Sequence, residues 1–504
     1  MALTLALFLC AFASVGAVFK LPQHTFTDGK TQADQQPPAG SLPSISTLGY
    51  TVISHPAFPD HRARIKKSHF CDPTVNVYTG YIDIQAKHLF FYFFESRSDP
   101  NHDDIILWTN GGPGGSSSLG LFTELGPCRI LNATQGPIWH KESWTTHANV
   151  LFIEQPIGVG YSYAEHGETI DTAEGAGEHI ATFMAIFQEN FPAFRGRRWH
   201  MAGESYGVRG DGRYIPVYAA AVYDHNSYLK ERDMLPINLA SIIIVNGATY
   251  PFGVETFYEM VCTNASGLGA LVDVRSCVRM KAAVPRCRAW LKESCIDKFD
   301  LMDCGAAASF CDDELLVPFL ATGRNPYDMS KLCEPADLDV ATPCYPEVSE
   351  MTAYLNLASV MELLGVDTDH VKQYKPISFD VNSQFTLSGD IFYDSTDYVG
   401  NLLDRNVSAL IFAGEYDLLC NWLINEAWTL SMDWHGKTTF GSEALCPWKA
   451  GNGLAGKARS AEGLTFATIN GAGHMAPGDK PKESLELIRR WLSGKRLMCE
   501  TDGR

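Results

Sequence analysis

The chain has 504 residues, 45% of them hydrophobic and 19% charged, with a formal net charge of −18. That supplies enough apolar chain for one or two large cores. An acidic surface of this size repels nucleic acid and anionic lipid, so neither is expected as a partner.

The opening MALTLALFLCAFASVGAVF reads as a secretory signal, residues 1–17. Its apolar run is too short to span a bilayer and is followed by small residues before a cut, although no Lys or Arg precedes it. Residues 18–69 are rich in Pro, Gln and Ser around TQADQQPPAGSLPS and read as an extended leader or propeptide-like arm. The basic run HRARIKK at 61–67 reads as a solvated face or a processing segment, with Lys66 and Lys67 as a dibasic candidate site.

From residue 70 the pattern changes. VNVYTGYIDI and HLFFYFFES alternate as a β-hairpin would. Six short apolar runs follow, each ending in a loop: DDIILWTNGG, ANVLFIEQPIG, RRWHMAGES, ASIIIVNGAT, SALIFAGEYD and LTFATINGAGH. Helical stretches lie between several of them, such as GAGEHIATFMAIFQENF. In PKESLELIRRWL, Leu485, Ile488 and Leu492 share a face and Pro481 suits a first turn. Alternating buried strands and helices predict an α/β fold with a mostly parallel central sheet flanked by helices. Residues 255–350 break the rhythm, with eight cysteines from Cys262 to Cys344 and no clear strand ladder. They read as an inserted cap stapled by disulfides, which leaves 70–254 and 351–504 as the core.

Fourteen cysteines are present; without Cys10 of the signal the number is odd, so at least one lies outside intramolecular disulfides. No Cys or His cluster has zinc spacing, and no metal is expected. Sequons at Asn132, Asn264 and Asn406 fit glycosylation in the secretory route. No later segment reads as a membrane span, and the polar tail KRLMCETDGR argues against a lipid-anchor signal, so no membrane anchor is expected. The sequence assigns no oligomeric state.

In a sheet of this kind ligands gather at the carboxyl ends of the strands, and four runs end there in reactive or polar residues. GESYG at 203–207 fits the G-x-S-x-G elbow, which lifts a serine hydroxyl clear of the backbone and sets the next amide beside it. Ser205 needs a base to become a nucleophile. His474, in the Gly-rich loop NGAGHMAP, is the natural one. A carboxylate should fix the tautomer of that imidazole; FAGEYD offers Asp417 and Glu415, and residue type does not separate them. The order Ser205, Asp417, His474 is the one expected of α/β hydrolases. In WTNGGPGGSSS, adjacent glycines let backbone amides turn inward as an oxyanion hole requires. A phosphate loop is the competing reading, but its Lys and following Ser or Thr are missing; a plain turn is the other.

Taken together, LWTNGGPGGSSSLGLFTELGP, VLFIEQPIGVGYSY, GESYG, FAGEYDLLCNW and GAGHMAP resemble the signature blocks of the serine carboxypeptidase family, in its fungal secreted or vacuolar branch. FCDPTVNVYTGYIDI resembles that family's opening strands. The resemblance spans roughly residues 70–250 and 385–495. It implies an α/β-hydrolase fold and release of C-terminal residues from peptides through an acyl-enzyme, with no metal or organic cofactor. It further implies Ser205 as nucleophile, His474 as base and Asp417, rather than Glu415, as its partner. Gly112 and Tyr206 would supply the oxyanion amides. Asn110 and Glu204 would bind the substrate carboxylate, supported by Glu124 and Trp108, and Met475 would line the leaving-residue pocket. A glutamate can receive a carboxylate only when protonated, so activity is expected to favour acidic pH. An acyltransferase on the same scaffold is the alternative, since an alcohol or amine can replace water.

Three departures stand out. Gly115 occupies a position where many members have cysteine, so one disulfide near the active site is expected to be missing. Cys420 aligns with a position where some members keep a thiol. Pro216 lies 11 residues after Ser205, four more than in the family pattern, and VRGD at 208–211 accounts for the excess. Gly207, Gly210 and Gly212 disfavour an added helical turn by about 1 kcal/mol each. A loop-out after the elbow is expected instead; it would disturb the helical turn beside the oxyanion, and a catalytically impaired homologue is on that account the second alternative to an active carboxypeptidase. A misplaced intron boundary of twelve nucleotides would produce the same text; peptides of the native protein containing GVRGDGR would refute that origin.

Overall fold

The computed structural model describes residues 49–205, 213–247, 253–333, 344–495 and 497. Residues 1–17, read as a signal, and residues 18–48, read as part of the arm, lie outside the described residues. The sequence places residues 51–68 in that arm too; the chain instead forms strands β1 (Thr51–His55) and β2 (Phe58–Ser68) there. They pair antiparallel, and β2 continues onto β3 (Val77–Ile84). The basic run hides a period-two pattern: Ala63 and Ile65 are buried, while Arg62, Arg64 and Lys66 face outward. Asp83 of β3 accepts from both Arg62 and Arg64. Lys66 and Lys67 are paired in register with Thr79 and Tyr78.

The predicted hairpin is β3 with β4 (Lys87–Phe94). Then follow β5 (Ile105–Asn110), a small hairpin of β6 (Cys128–Arg129) and β7 (Ile138–Trp139), β8 (Asn149–Ile153), and β9 (Tyr163–Ala164), which pairs with β4. The remaining strands are β10 (Arg198–Glu204), β11 (Asn238–Val245), a hairpin of β12 (Arg324–Asn325) and β13 (Asp328–Leu332), β14 (Ser408–Gly414), β15 (Cys446–Ala450), β16 (Gly453–Ala461) and β17 (Leu464–Ile469). Apart from the two small hairpins they form one sheet, in the order β1-β2-β3-β4-β8-β5-β10-β11-β14-β17-β16-β15. The six runs read from the sequence are the six central strands β8, β5, β10, β11, β14 and β17, and these are mutually parallel. They are largely apolar and almost wholly buried because helices cover both faces.

The helix Ala173–Asn190 starts at Thr172, whose hydroxyl accepts from the Gly175 amide, and packs on one face beside Tyr214–Lys230. The helix Pro481–Leu492 covers the other face, burying Leu487, Ile488 and Leu492, with Leu485 half-buried. No helix among the described residues is long and apolar enough to cross a membrane.

Between β11 and β14 the chain leaves the sheet. Four disulfides staple this excursion, Cys262–Cys277, Cys287–Cys311, Cys295–Cys304 and Cys333–Cys344; a fifth, Cys71–Cys128, ties the start of the core to β6. The excursion contains one short ladder, β12 with β13, and runs past residue 350 through helices Pro346–Leu355, Ala358–Leu364 and Phe379–Ser388. Helix Thr396–Leu403 then returns to pack on β14.

Candidate active site

Parallel pairing aligns the carboxyl ends of the central strands. Glu204 at the end of β10 is in register with Asn110 of β5 and Val245 of β11. Ser205 follows at once, with its amide donating to the Val245 carbonyl (3.1 Å) and a φ of +57°. A left-handed serine is strained, and a strained residue at a strand end is what a nucleophile elbow consists of. Gly203 leaves room for the next element: a Cβ there would lie 2.7 Å from Ile215 Cγ1 in the helix Tyr214–Lys230. Tyr206 and residues 208–211 lie outside the described residues.

His474 follows β17 and is buried. Its Nδ1 is 2.6 Å from Asp417 Oδ2, and its Nε2 is 3.7 Å from Glu204 Oε1, beside Ser205. Asp417 is fully buried; Oδ2 also accepts from the Asn246 amide (2.9 Å) and Oδ1 from the Leu419 amide (3.0 Å). Glu415 turns elsewhere, taking Thr468 Oγ1 (3.1 Å) and, with that amide oriented to donate, Asn470 (3.0 and 3.2 Å).

The sequence reading missed two supports. Asn246, at the end of β11, holds Asp417 and also accepts from the Gly414 amide (3.1 Å); its only sequence signal is a polar residue closing the run ASIIIV. The turn joining β12 to β13 grips both loops of the pair. Pro326 O accepts from Leu418 N (3.1 Å), Tyr327 O accepts from His474 N (2.7 Å), and Met329 N donates to Tyr416 O (2.9 Å). The Tyr327 ring stands edge-on to His474 at 5.1 Å. Cys420 is a buried thiol whose Sγ lies within 4.8 Å of a carboxylate oxygen of Asp417 and a ring nitrogen of His474.

On the far side of Ser205, Trp108 Nε1 (2.8 Å) and Gly120 N (2.9 Å) donate to Asn110 Oδ1, and Asn110 Nδ2 donates to Glu124 Oε1 (3.3 Å). A Cβ on Gly120 would sit 2.2 Å from Trp108 Nε1, so only glycine lets these groups meet. Burial and then the charge of Glu124 push the Glu204 carboxyl well above the ordinary 4.5; burial raises Glu124 as well. Glu124 Oε2 and Glu204 Oε2 are buried, and no other group among the described residues pairs with either. A proton shared between the two acids satisfies both. Met475 is half-buried, with its sulfur 3.7 Å from Thr123 Oγ1. Gly115 bridges Ile377, flanked by Ser116 N to Pro376 O (2.9 Å) and Ser378 N to Gly114 O (2.8 Å), so backbone pairing stitches the Gly-rich loop to the excursion.

The family model described as serine carboxypeptidase matches residues 69–494. The chain belongs to the serine carboxypeptidase family. It is 37% identical over 440 residues to a carboxypeptidase Y of Candida albicans, covering 86% of this chain and 77% of the relative. The carboxypeptidase Y of Saccharomyces cerevisiae is 36% identical over 454 residues, covering 88% and 81%. A carboxypeptidase Y homolog A of Aspergillus oryzae is 38% identical over 431 residues, covering 84% and 75%. Among solved structures, a prohormone-processing carboxypeptidase from Saccharomyces cerevisiae superposes with a TM-score of 0.69 at 21% identity, covering 91% of this chain and 98% of that one, and shows the same fold. The protein is therefore a serine-type carboxypeptidase acting on peptides.

The paired acids of this carboxypeptidase make its stability depend on pH. Unfolded, both titrate near 4.5; folded, their proton is held to higher pH. Folding takes up protons, so this contribution is complete below the unfolded value and is lost as pH rises through the folded one. Urea unfolding is expected to show a higher midpoint at pH 4.5 than at pH 7.5, and Glu204→Gln is expected to shrink the difference; an unchanged difference would count against the shared proton.

Proposed function

We propose that Ser205 is the nucleophile, His474 its general base and Asp417 the group that orients the imidazole. The 2.6 Å contact between Asp417 and His474, beside a left-handed Ser205 at the end of a parallel strand, carries this reading. The Ser205 hydroxyl attacks the carbonyl carbon of the last peptide bond and gives its proton to Nε2. The carbonyl oxygen becomes an oxyanion facing the amides of Gly112 and Tyr206. The imidazolium passes the proton to the departing amine, the C–N bond breaks, and an acyl-serine remains. Water then repeats the sequence, transferring its proton to Nε2 and releasing the shortened peptide.

Asn110 and the protonated Glu204, supported by Trp108 and Glu124, receive the free carboxylate, and Met475 borders the side chain of the leaving residue. Activity accordingly favours acidic pH. We also assign residues 1–17 as a signal directing the chain to the secretory route, toward the exterior or a vacuole. Asn132, Asn264 and Asn406 are exposed, as glycan acceptors must be.

A fluorophosphonate is expected to label Ser205, located by peptide mapping of residues 197–230, and to abolish release of the free C-terminal amino acid from an N-blocked dipeptide. Protein that cleaves the dipeptide but carries the label elsewhere, or not at all, overturns the assignment. Transfer of the blocked residue to an added alcohol in preference to water would mark an acyltransferase.

A further inference from the structure

One fully buried acid has no part in the chemistry above. Glu154 is the first residue after β8 and has no exposed surface. Its Oε1 accepts from the hydroxyls of Ser116 (2.8 Å) and Ser118 (2.6 Å), and its Oε2 from the amide of Ser117 (3.1 Å). All three serines are fully buried. The charged or titratable groups around it are phenols: Tyr374, whose hydroxyl donates to Ser116 Oγ (2.8 Å), Tyr92, 3.2 Å from Ser118 Oγ, and Tyr161. Among the described residues no Arg, Lys or His contacts the carboxyl. An acid buried without a cation is costly unless donors surround it, and here the donors come from three consecutive residues of one segment.

That segment directly follows the Gly-rich loop. Gly115 N closes the loop onto Gly111 O (2.8 Å), and Ser116 is next in the chain. Ser117 Oγ also donates to Ile153 O (2.6 Å) and accepts from Asn110 N (3.2 Å), which locks the exit of the loop to the ends of β8 and β5. Space is reserved for the carboxyl: a Cβ on Gly160 would sit 2.4 Å from Glu154 Oε2. Other bonds independently hold Asn110, through Trp108 and Gly120.

We propose that Glu154 is a positioning residue for the reaction: its buried carboxyl holds Ser116, Ser117 and Ser118 so that the Gly112 amide faces the oxyanion. This rests on the reading of Gly112 as an oxyanion donor. Glu154 touches neither substrate nor reacting atoms and acts through the loop. A displacement of about 1 Å in such a group lowers rate about a hundredfold, and the effect belongs to the transition state rather than to substrate binding.

Glu154→Gln keeps the shape and removes the second acceptor oxygen. With an N-blocked dipeptide it is expected to lower kcat about a hundredfold while KM stays within about threefold. Affinity for a peptide aldehyde, whose adduct places an oxygen in the hole, should fall in parallel, whereas affinity for a free amino acid product should not. Glu154→Asp should recover part of the loss. If Glu154→Gln does not fold, Ser118→Ala removes one donor and leaves the acid in place; it should lower kcat and aldehyde affinity together, by about tenfold. A kcat within threefold of the parent in the folded variant overturns the proposal, as does a loss in KM alone or one that merely follows the unfolded fraction. Failure of the underlying reading is recognised separately: Gly112 is then no donor, and the parent enzyme binds the aldehyde no more tightly than the corresponding alcohol.

Discussion

Asp417→Asn is expected to lower kcat about 10,000-fold with little change in KM, while Glu415→Gln keeps kcat within about twofold. In the proposed triad Asp417 Oδ2, 2.6 Å from His474 Nδ1, accepts from it, which would keep the proton on that nitrogen and leave Nε2 able to take one from Ser205. An asparagine cannot supply both acceptors: Oδ1 must serve the Leu419 amide and Oδ2 the Asn246 amide as well as the histidine. With an NH2 facing Nδ1, the ring takes the other tautomer, and Nε2 carries a proton when it needs a lone pair. The Tyr327 carbonyl still holds the His474 backbone, so geometry survives and the loss is chemical. Among the described residues the Glu415 carboxyl bonds to Thr468 and Asn470, away from His474, and its neutral isostere should cost at most about 1.5 kcal/mol of stability. Steady-state kinetics on both variants, with thermal melts to establish folding, decide between the two acids. A loss confined to Glu415→Gln would assign the role to that carboxylate, and equal losses would overturn the assignment to Asp417 alone.

The contrast between these neighbours illustrates what a sequence carries. Both follow one strand by a few residues, and their chemistry is identical; only the path of the loop, pinned by Pro326 and Tyr327 from a distant hairpin, turns one inward. The six central strands were legible because buried parallel strands are largely apolar and break into polar loops where the sheet ends. β1 and β2 were not, since the inward residues Ala63 and Ile65 are small or few and the outward ones form a basic run whose counter-charge, Asp83, lies on another strand. The extent of the excursion was hidden for a different reason: helices after residue 350 carry the same local pattern whether they pack on the sheet or over it. Asn246 and Glu154 depend on register between strands, which no local pattern encodes. The placement of Ser205, His474 and the Gly-rich loop at strand ends was legible because a Gly-rich or left-handed turn marks where a buried strand stops.

The paired acids give the second large effect. With a substrate bearing a free C-terminal carboxylate, kcat/KM should fall about tenfold per pH unit once pH exceeds the raised pKa of the Glu204–Glu124 pair, mainly through KM. The sign follows from the direction of the shift. Burial and mutual repulsion hold a proton on the pair to higher pH than an ordinary carboxyl would, so the receiving form persists through the acid range and disappears as pH rises. On the proposed reading, once that proton leaves, three carboxylates, two of the enzyme and one of the substrate, would share a site in which the Asn110 amide already points at Glu124. Glu204→Gln supplies N–H donors that do not titrate. Its KM should be nearly level across the same range, so the variant is slower than the parent in acid and overtakes it in mild alkali. A C-terminally amidated substrate provides the control, because it presents no carboxylate and should show little of this dependence in either enzyme. Profiles of kcat and KM for the four combinations separate carboxylate recognition from any change in the chemical step, which acts on kcat with both substrates. If the parent's KM for the free acid is level from acid to alkali, the carboxylate is received by groups that do not share a proton, and Glu204 is held protonated for some reason other than substrate recognition.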